Sequence, residues 1–204
     1  MEKTMIASEI TDGQIDNVCA KLRDALRKHR KEITTEAAQF ALGTENIGMM
    51  MFAPFREQAE MAGEMIVRRV RVKRNRTQQE MLDATGRVQY TNSEVVGLIP
   101  GKGESEKEED VYFIPLNGKD TSAKAVQDLL DEHGLKPDGY AVAAVNEADP
   151  GFADSHPNAT QWVDENGNHC YVTFSWWGGG ERRVFCYRGE GGWDDDWSVG
   201  GVRK

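Results

Sequence analysis

Up to residue 63 the apolar side chains of this sequence recur at the three-and-four spacing of a helix, whereas from Met65 they fall into short runs set between turn residues. That change of period constrains the fold more than any motif does. It predicts an α+β chain: an N-terminal three-helix unit over 1–64, then a mixed domain over 65–204 with an antiparallel, tryptophan-rich C-terminal sheet. Thr11 and Gln14 are spaced as a capping box, and Ile15, Val18, Cys19, Leu22 and Leu26 follow on one face. A second helix is expected from Thr34 or Thr35, closed at Gly43 by a left-handed residue and packing Ala38, Phe40, Ala41 and Leu42. Thr44 is expected to cap a third, which turns Ile47, Met50, Met51 and Phe55 inward and which Pro54 bends or ends early.

Beyond Met65 the pattern predicts a strand over 66–73 and a short helix from Thr77 that ends by Gly86. Residues 88–100 fit a strand or a helix starting at Asn92, and the Gly, Glu and Lys of 101–110 have the composition of a mobile loop. A strand over 111–116 and a helix from Thr121 or Ser122 to Glu132 follow, then a short helix over 139–148. Asn166-Gly167 predicts a tight hairpin with both central residues at positive φ, Gly178-Gly179-Gly180 a second turn, and residues 197–202 a closing strand.

Charge is unevenly spread. The 204 residues carry a net −9, yet residues 65–88 hold 7 basic and 2 acidic side chains, and residues 89–204 hold 10 and 21. An acidic chain of this kind is no general nucleic-acid coat. The basic block, with Arg69, Arg71, Lys73, Arg74 and Arg76, reads either as a strand whose charges are solvated or paired within the chain, or as a nucleic-acid contact. Cys19, Cys170 and Cys186 are too few and too scattered for a disulfide framework. With no spanning apolar run and no secretory pattern at Met1-Glu2-Lys3-Thr4, the expectation is a cytoplasmic protein without membrane contact.

All five tryptophans lie after residue 160. Neighbours on a strand point to opposite faces, so Trp176 and Trp177 cannot both be buried on one side of a sheet, and one is expected at the surface. An exposed tryptophan beside a Trp193–Trp197 turn that carries Asp194, Asp195 and Asp196 would suit a protein partner, preferably a basic one. A third candidate is Glu147, Asp154 and His156, carboxylates and an imidazole that could share acid and base roles in a hydrolase. No metal-ligand spacing accompanies them, and Asp, Asn, Pro and Gly around them also form ordinary structured loops. Gly97 to Gly103 does not complete a phosphate loop, and no cofactor is expected. His169, Cys170 and Cys186 could meet across a hairpin, but His169 and Cys170 point to opposite faces, and the cysteines read as buried and inert.

The segments 70–87 and 143–158, together with the tryptophan-rich end closing in Gly200-Gly201-Val202-Arg203-Lys204, resemble a family of short uncharacterised bacterial proteins. The resemblance implies an accessory protein of bacteria, of the kind carried on phage or other mobile elements, and brings no activity with it. The function expected from the aromatic and acidic C-terminal residues is recognition of a macromolecular partner, a protein before a nucleic acid.

Overall fold

The computed structural model describes residues 10–63, 65–117, 122–189 and 193–204. The chain divides into two compact units, Met1–Ala62 and Gly63–Lys204. In the first, α1 (Asp12–Lys28) opens with the expected capping box: Thr11 Oγ1 accepts from the Gln14 N–H, and Gln14 Oε1 from the Thr11 N–H at 2.9 Å. Two further helices follow, α2 (Thr35–Leu42) and α3 (Ile47–Ala62). Gly43 has φ −81° instead of a left-handed value, and Thr44 closes α2 by donating to the Phe40 carbonyl instead of capping α3. Pro54 sits inside α3, which continues past it to Ala62.

The expected interior of this unit is absent. None of its described residues is buried, and Phe40 is 84% exposed. Helical spacing places apolar residues on one face but does not supply the element that covers it. A stretch this short has little surface to bury within itself.

The second unit is built on one mixed sheet. In chain order its elements are β1 (Ile66–Lys73), α4 (Gln78–Asp83), β2 (Val88–Thr91), α5 (Ser93–Val96), β3 (Glu106–Pro115), α6 (Ala123–Glu132), β4 (Leu135–Lys136), α7 (Gly139–Ala148), α8 (Phe152–Ser155), β5 (Asn158–Val163), β6 (His169–Trp177), β7 (Glu181–Arg188) and β8 (Ser198–Arg203). The strand order is β1-β3-β8-β5-β6-β7-β2, with β4 added on β8. β5, β6 and β7 form the expected antiparallel meander. β8, expected to close the sheet, instead lies near its middle, antiparallel to β3 and parallel to β5. β2 pairs parallel with β7 at the edge.

Local signals explain most of the helices. Thr77 and Glu80 form a second capping box, Asn92 caps α5, and Asp138 accepts from the Ala141 N–H to start α7. Ser122 caps α6, while Thr121, the other residue expected there, lies outside the described residues. Both readings of residues 88–100 are realised, as β2 followed by α5. The hairpin between β5 and β6 is longer than a two-residue turn. Asp164 Oδ1 accepts from the N–H groups of Asn166 and Asn168 at 2.9 Å each, and Gly167 (φ 81°) takes a positive angle while Asn166 does not. An acceptor side chain at the start of the loop thus overrides the Asn-Gly preference.

Side-chain alternation builds two cores. On one face Val111, Phe113, Trp162, Cys170, Val172 and Phe174 pack with α7, whose residues from Gly139 to Asn146 are all buried. On the other, Ile114, Ala159, Val199 and Trp193 pack with Val126 and Leu130 of α6. The central strand permits this through Gly200 and Gly201. A Cβ at Gly200 would lie 2.8 Å from the Phe113 ring and 2.9 Å from Val142, and one at Gly201 would lie 2.5 Å from the Lys136 carbonyl oxygen. Glycine here lets α7 and β4 approach β8 from opposite sides. Gly201→Ala is expected to cost about 1–3 kcal/mol in urea unfolding, since backbone must shift to admit the methyl group. Gly178→Ala, which meets nothing within 4 Å, should change stability by less than about 0.5 kcal/mol.

Candidate functional site

The basic strand alternates as its sequence requires: Val67, Arg69 and Arg71 are exposed, and Ile66, Arg68, Val70 and Val72 are buried. Its register against β3 sets Arg69 opposite Asp110 and Arg71 opposite Glu108. The charged run 106–110 is therefore strand where a mobile loop is expected, because its carboxylates match the arginines across the pair. Arg69 lies 3.7 Å from Asp110, and Arg71 2.8 Å from Glu106. Lys73 and Arg76 share Glu147, at 3.6 and 2.5 Å. Arg74 donates to both Glu109 oxygens, at 3.0 and 2.6 Å, and pairs with buried Asp138 at 2.8 Å. The Arg74 hydrogen bonds hold the Glu109 carboxyl below the usual carboxylate range, whereas burial pushes Asp138 up. Every one of the five cations singled out for nucleic acid has a carboxylate partner within the chain.

The carboxylates and histidine of the loop are not brought to one point. Glu147 faces Arg76 and Lys73, Asp154 of α8 is gripped by Arg182 of β7 at 2.6 and 2.9 Å, and His156 lies beside the Phe152 ring at 5.3 Å between centroids. Arg182 draws the Asp154 carboxyl below its ordinary value. Among the described residues no group of three His, Cys, Asp or Glu side chains is placed to hold a metal. Phe152 packs on Phe113 and carries the Arg68 guanidinium 4.7 Å above its ring, so the loop is anchored in the core.

The buried Arg87 completes that anchorage, and sequence reading missed it. It donates to the Ser175 carbonyl at 3.2 Å, the Pro150 carbonyl at 3.0 Å and Asn146 Oδ1 at 3.0 Å. Asn146 in turn donates to Asn158 Oδ1 at 2.9 Å. Nothing local marks Arg87, since its partners lie 59 to 88 residues further along the chain. Cys170 and Cys186 are buried on one face of β6 and β7, and burial pushes the Cys186 thiol up to about 12. His169 points to the opposite face from Cys170.

The remaining feature is aromatic. Trp176 and Trp177 end β6 on opposite faces, 46% and 60% exposed. Trp177 lies on the face that α6 covers at the other end of the sheet, and at this end that face is open. Arg183 sits 5.1 Å from the Trp177 ring centre and 5.2 Å from that of Tyr90, which stacks on Phe185 at 5.1 Å. Tyr187 is exposed beside them, opposite Tyr171 in the register. Trp193 and Trp197, expected at the surface, belong to the covered half. Trp193 is 8% exposed, packs edge-on against Tyr171 at 5.3 Å, and contacts Trp197 at 5.4 Å. Only the acidic tip of that turn, Asp194, Asp195 and Asp196, is exposed. Folding buries the large rings and leaves the carboxylates in water.

No family model, no curated protein and no solved structure matches this chain. Among the described residues no helix is long and apolar enough to cross a membrane.

Removal of Arg87 should be costly because its acceptors stay buried: Arg87→Met is expected to lower stability by about 2–4 kcal/mol in urea unfolding. Arg87→Lys should not restore it, one ammonium being unable to span three acceptors. Acid should destabilise the fold in a defined window. The depressed Glu109, Asp154 and Asp164 carboxyls, the last held at about 2 first by the Asn168 N–H, bind protons less readily folded than unfolded. Their contribution is complete above the ordinary carboxylate range and is lost as pH falls toward 2. Urea midpoints measured across this range should fall less steeply for Asp164→Asn than for the unaltered chain.

Proposed function

We propose that this chain is a recognition protein that docks a basic partner protein on the open half of its sheet. The observation that carries this reading is the half-covered face, on which Trp177, Tyr90, Phe185 and Tyr187 line up in continuation of a core that elsewhere lies beneath α6. Large rigid rings offer contact area at low entropic cost, and exposed Trp177, Tyr90 and Tyr187 around half-buried Phe185 mark an interaction surface more than scattered apolar residues do. Trp177 serves as the anchor, and Trp176 belongs to the other face.

Charge favours protein over nucleic acid as the partner. Arg183 pairs with Glu181, Arg182 with Asp154, and Arg188 with Asp164 and Glu94, so the cations near the face are already neutralised. The exposed Asp194–Asp196 tip adjoins the face through the contact of Trp193 with Tyr171. A partner with an apolar centre and a lysine- or arginine-bearing rim complements this arrangement. A bacterial, cytoplasmic setting on phage or mobile elements is part of the proposal and rests on the sequence reading alone.

The test is capture of partners from nuclease-treated and untreated bacterial lysate by the full chain, beside Trp177→Ala, Tyr90→Ala and a triple Asp194/Asp195/Asp196→Asn variant. One protein retained equally in both arms, lost with either aromatic variant and weakened by the triple variant, is the expected result. Retention unchanged by the variants, or dependent on nucleic acid, overturns the reading. Trp177→Ala should leave thermal stability within about 0.5 kcal/mol of the unaltered chain, as expected of an exposed side chain.

A further inference from the structure

At the opposite end of the strand order from the aromatic face, β1, β3, β4 and β8 border an open polar cleft of about 570 Å³. Five cations line it: Arg74, Lys102, Lys107, Lys136 and Arg203. Three carboxylates share the lining, yet Glu109 and Asp138 are bound to Arg74, Glu109 also serves Lys107 at 3.5 Å, and Asp110 leans toward Arg69. Lys102, Lys136 and Arg203 are left with no carboxylate partner among the described residues. In a chain of net charge −9, three unneutralised cations from three different elements gathered on one cleft give it a locally positive potential that attracts an anion.

The cleft is also built. Arg74 pins the loop that carries Lys102 with three hydrogen bonds: Nη1 donates to the Gly101 carbonyl at 2.6 Å, its N–H to the Ser105 carbonyl, and its carbonyl accepts from Gly103. Gly101 (φ 107°) lies so close to Asp138 that a Cβ would fall 2.2 Å from Oδ1, which fixes the loop against the ion pair. Arg203 is set by Nη1 donating to the His133 carbonyl at 2.7 Å and by its stacking 4.5 Å above the Tyr112 ring. Its other terminal nitrogen, Nη2, is buried with no protein acceptor in reach.

We infer that this cleft binds a small phosphate-bearing molecule. A planar guanidinium and two lysine ammonium groups lining one cleft together match a compact oxyanion of charge two or more better than a single carboxylate. The predominantly polar wall suits a small ligand with little apolar body. This site is separate from the proposed partner-binding face and does not depend on it.

The experiment is isothermal titration of the full chain with inorganic phosphate, pyrophosphate and succinate at low ionic strength. Phosphate and pyrophosphate are expected to bind in the millimolar range or tighter, more tightly than succinate, and to weaken as salt is raised. Lys102→Gln and Lys136→Gln, both at exposed positions, should each weaken binding about tenfold, equivalent to about 1.4 kcal/mol. Lys124→Gln, whose lysine pairs with Asp128 on α6, should leave it unchanged. No binding at millimolar phosphate, affinity in the two cleft variants unchanged from the unaltered chain, or succinate binding as tightly as phosphate overturns the assignment. The lysine variants replace exposed side chains and leave the core untouched, so these outcomes are read on folded protein.

Discussion

Arg74 is the residue on which the sheet domain turns. Its guanidinium joins Glu109 of β3, Asp138 at the cap of α7 and the Gly101 carbonyl, while its backbone holds the 101–105 loop. Asp138 has two obligations, since one oxygen also accepts from the Ala141 N–H. Burial alone pushes that carboxyl up, and a lone buried carboxylate would take up a proton or unfold the cap. The arginine permits it to remain a charged helix cap. Helix α7 is buried from Gly139 to Asn146, so the start of the most enclosed helix in the domain depends on an arginine just past the end of an edge strand.

From that anchor the domain acquires unequal coverage. Gly200 and Gly201 allow packing on both faces of β8, which makes the centre of the sheet around β8 and β5 a three-layer structure. Toward β7 and β2 the α7 side stays covered, while the α6 side ends at Trp193 and Tyr171. The open aromatic face and the cationic cleft therefore arise from the same architecture at its two ends. One is left by an element that stops short. The other is created where a loop, β4 and the end of β8 meet.

Much of this was legible in the sequence, and the boundary of legibility is physical. Capping boxes at Thr11 and Thr77, the cap at Ser122 and alternation through 66–73 are local statements that local geometry honours. The placement of Glu106–Asp110 in a strand was not readable, because its charges make sense only opposite Arg69 and Arg71. Trp176 and Trp177 had to diverge, but which of them would join an open face depended on where α6 ends. Arg87 left no mark, since a buried cation satisfied by carbonyls has no spacing rule. The helical unit makes the complementary point: its periodicity is plain and its helices form, yet periodicity names a face without naming what lies upon it.

The titratable groups of the sheet domain share one bias, and it agrees with the recognition role proposed above. General acid–base chemistry needs groups brought toward neutrality by burial or by like charges. Here Arg74 and Arg182 pull Glu109 and Asp154 away from it, the Asn168 N–H does the same for Asp164, and burial carries Cys186 away in the opposite sense. Asp138 alone among these moves toward neutrality, and its two oxygens are already engaged by Arg74 and the α7 cap. The charges of this domain are spent on fixing geometry. What they fix in place at the surface is a row of rings and a set of unpaired cations.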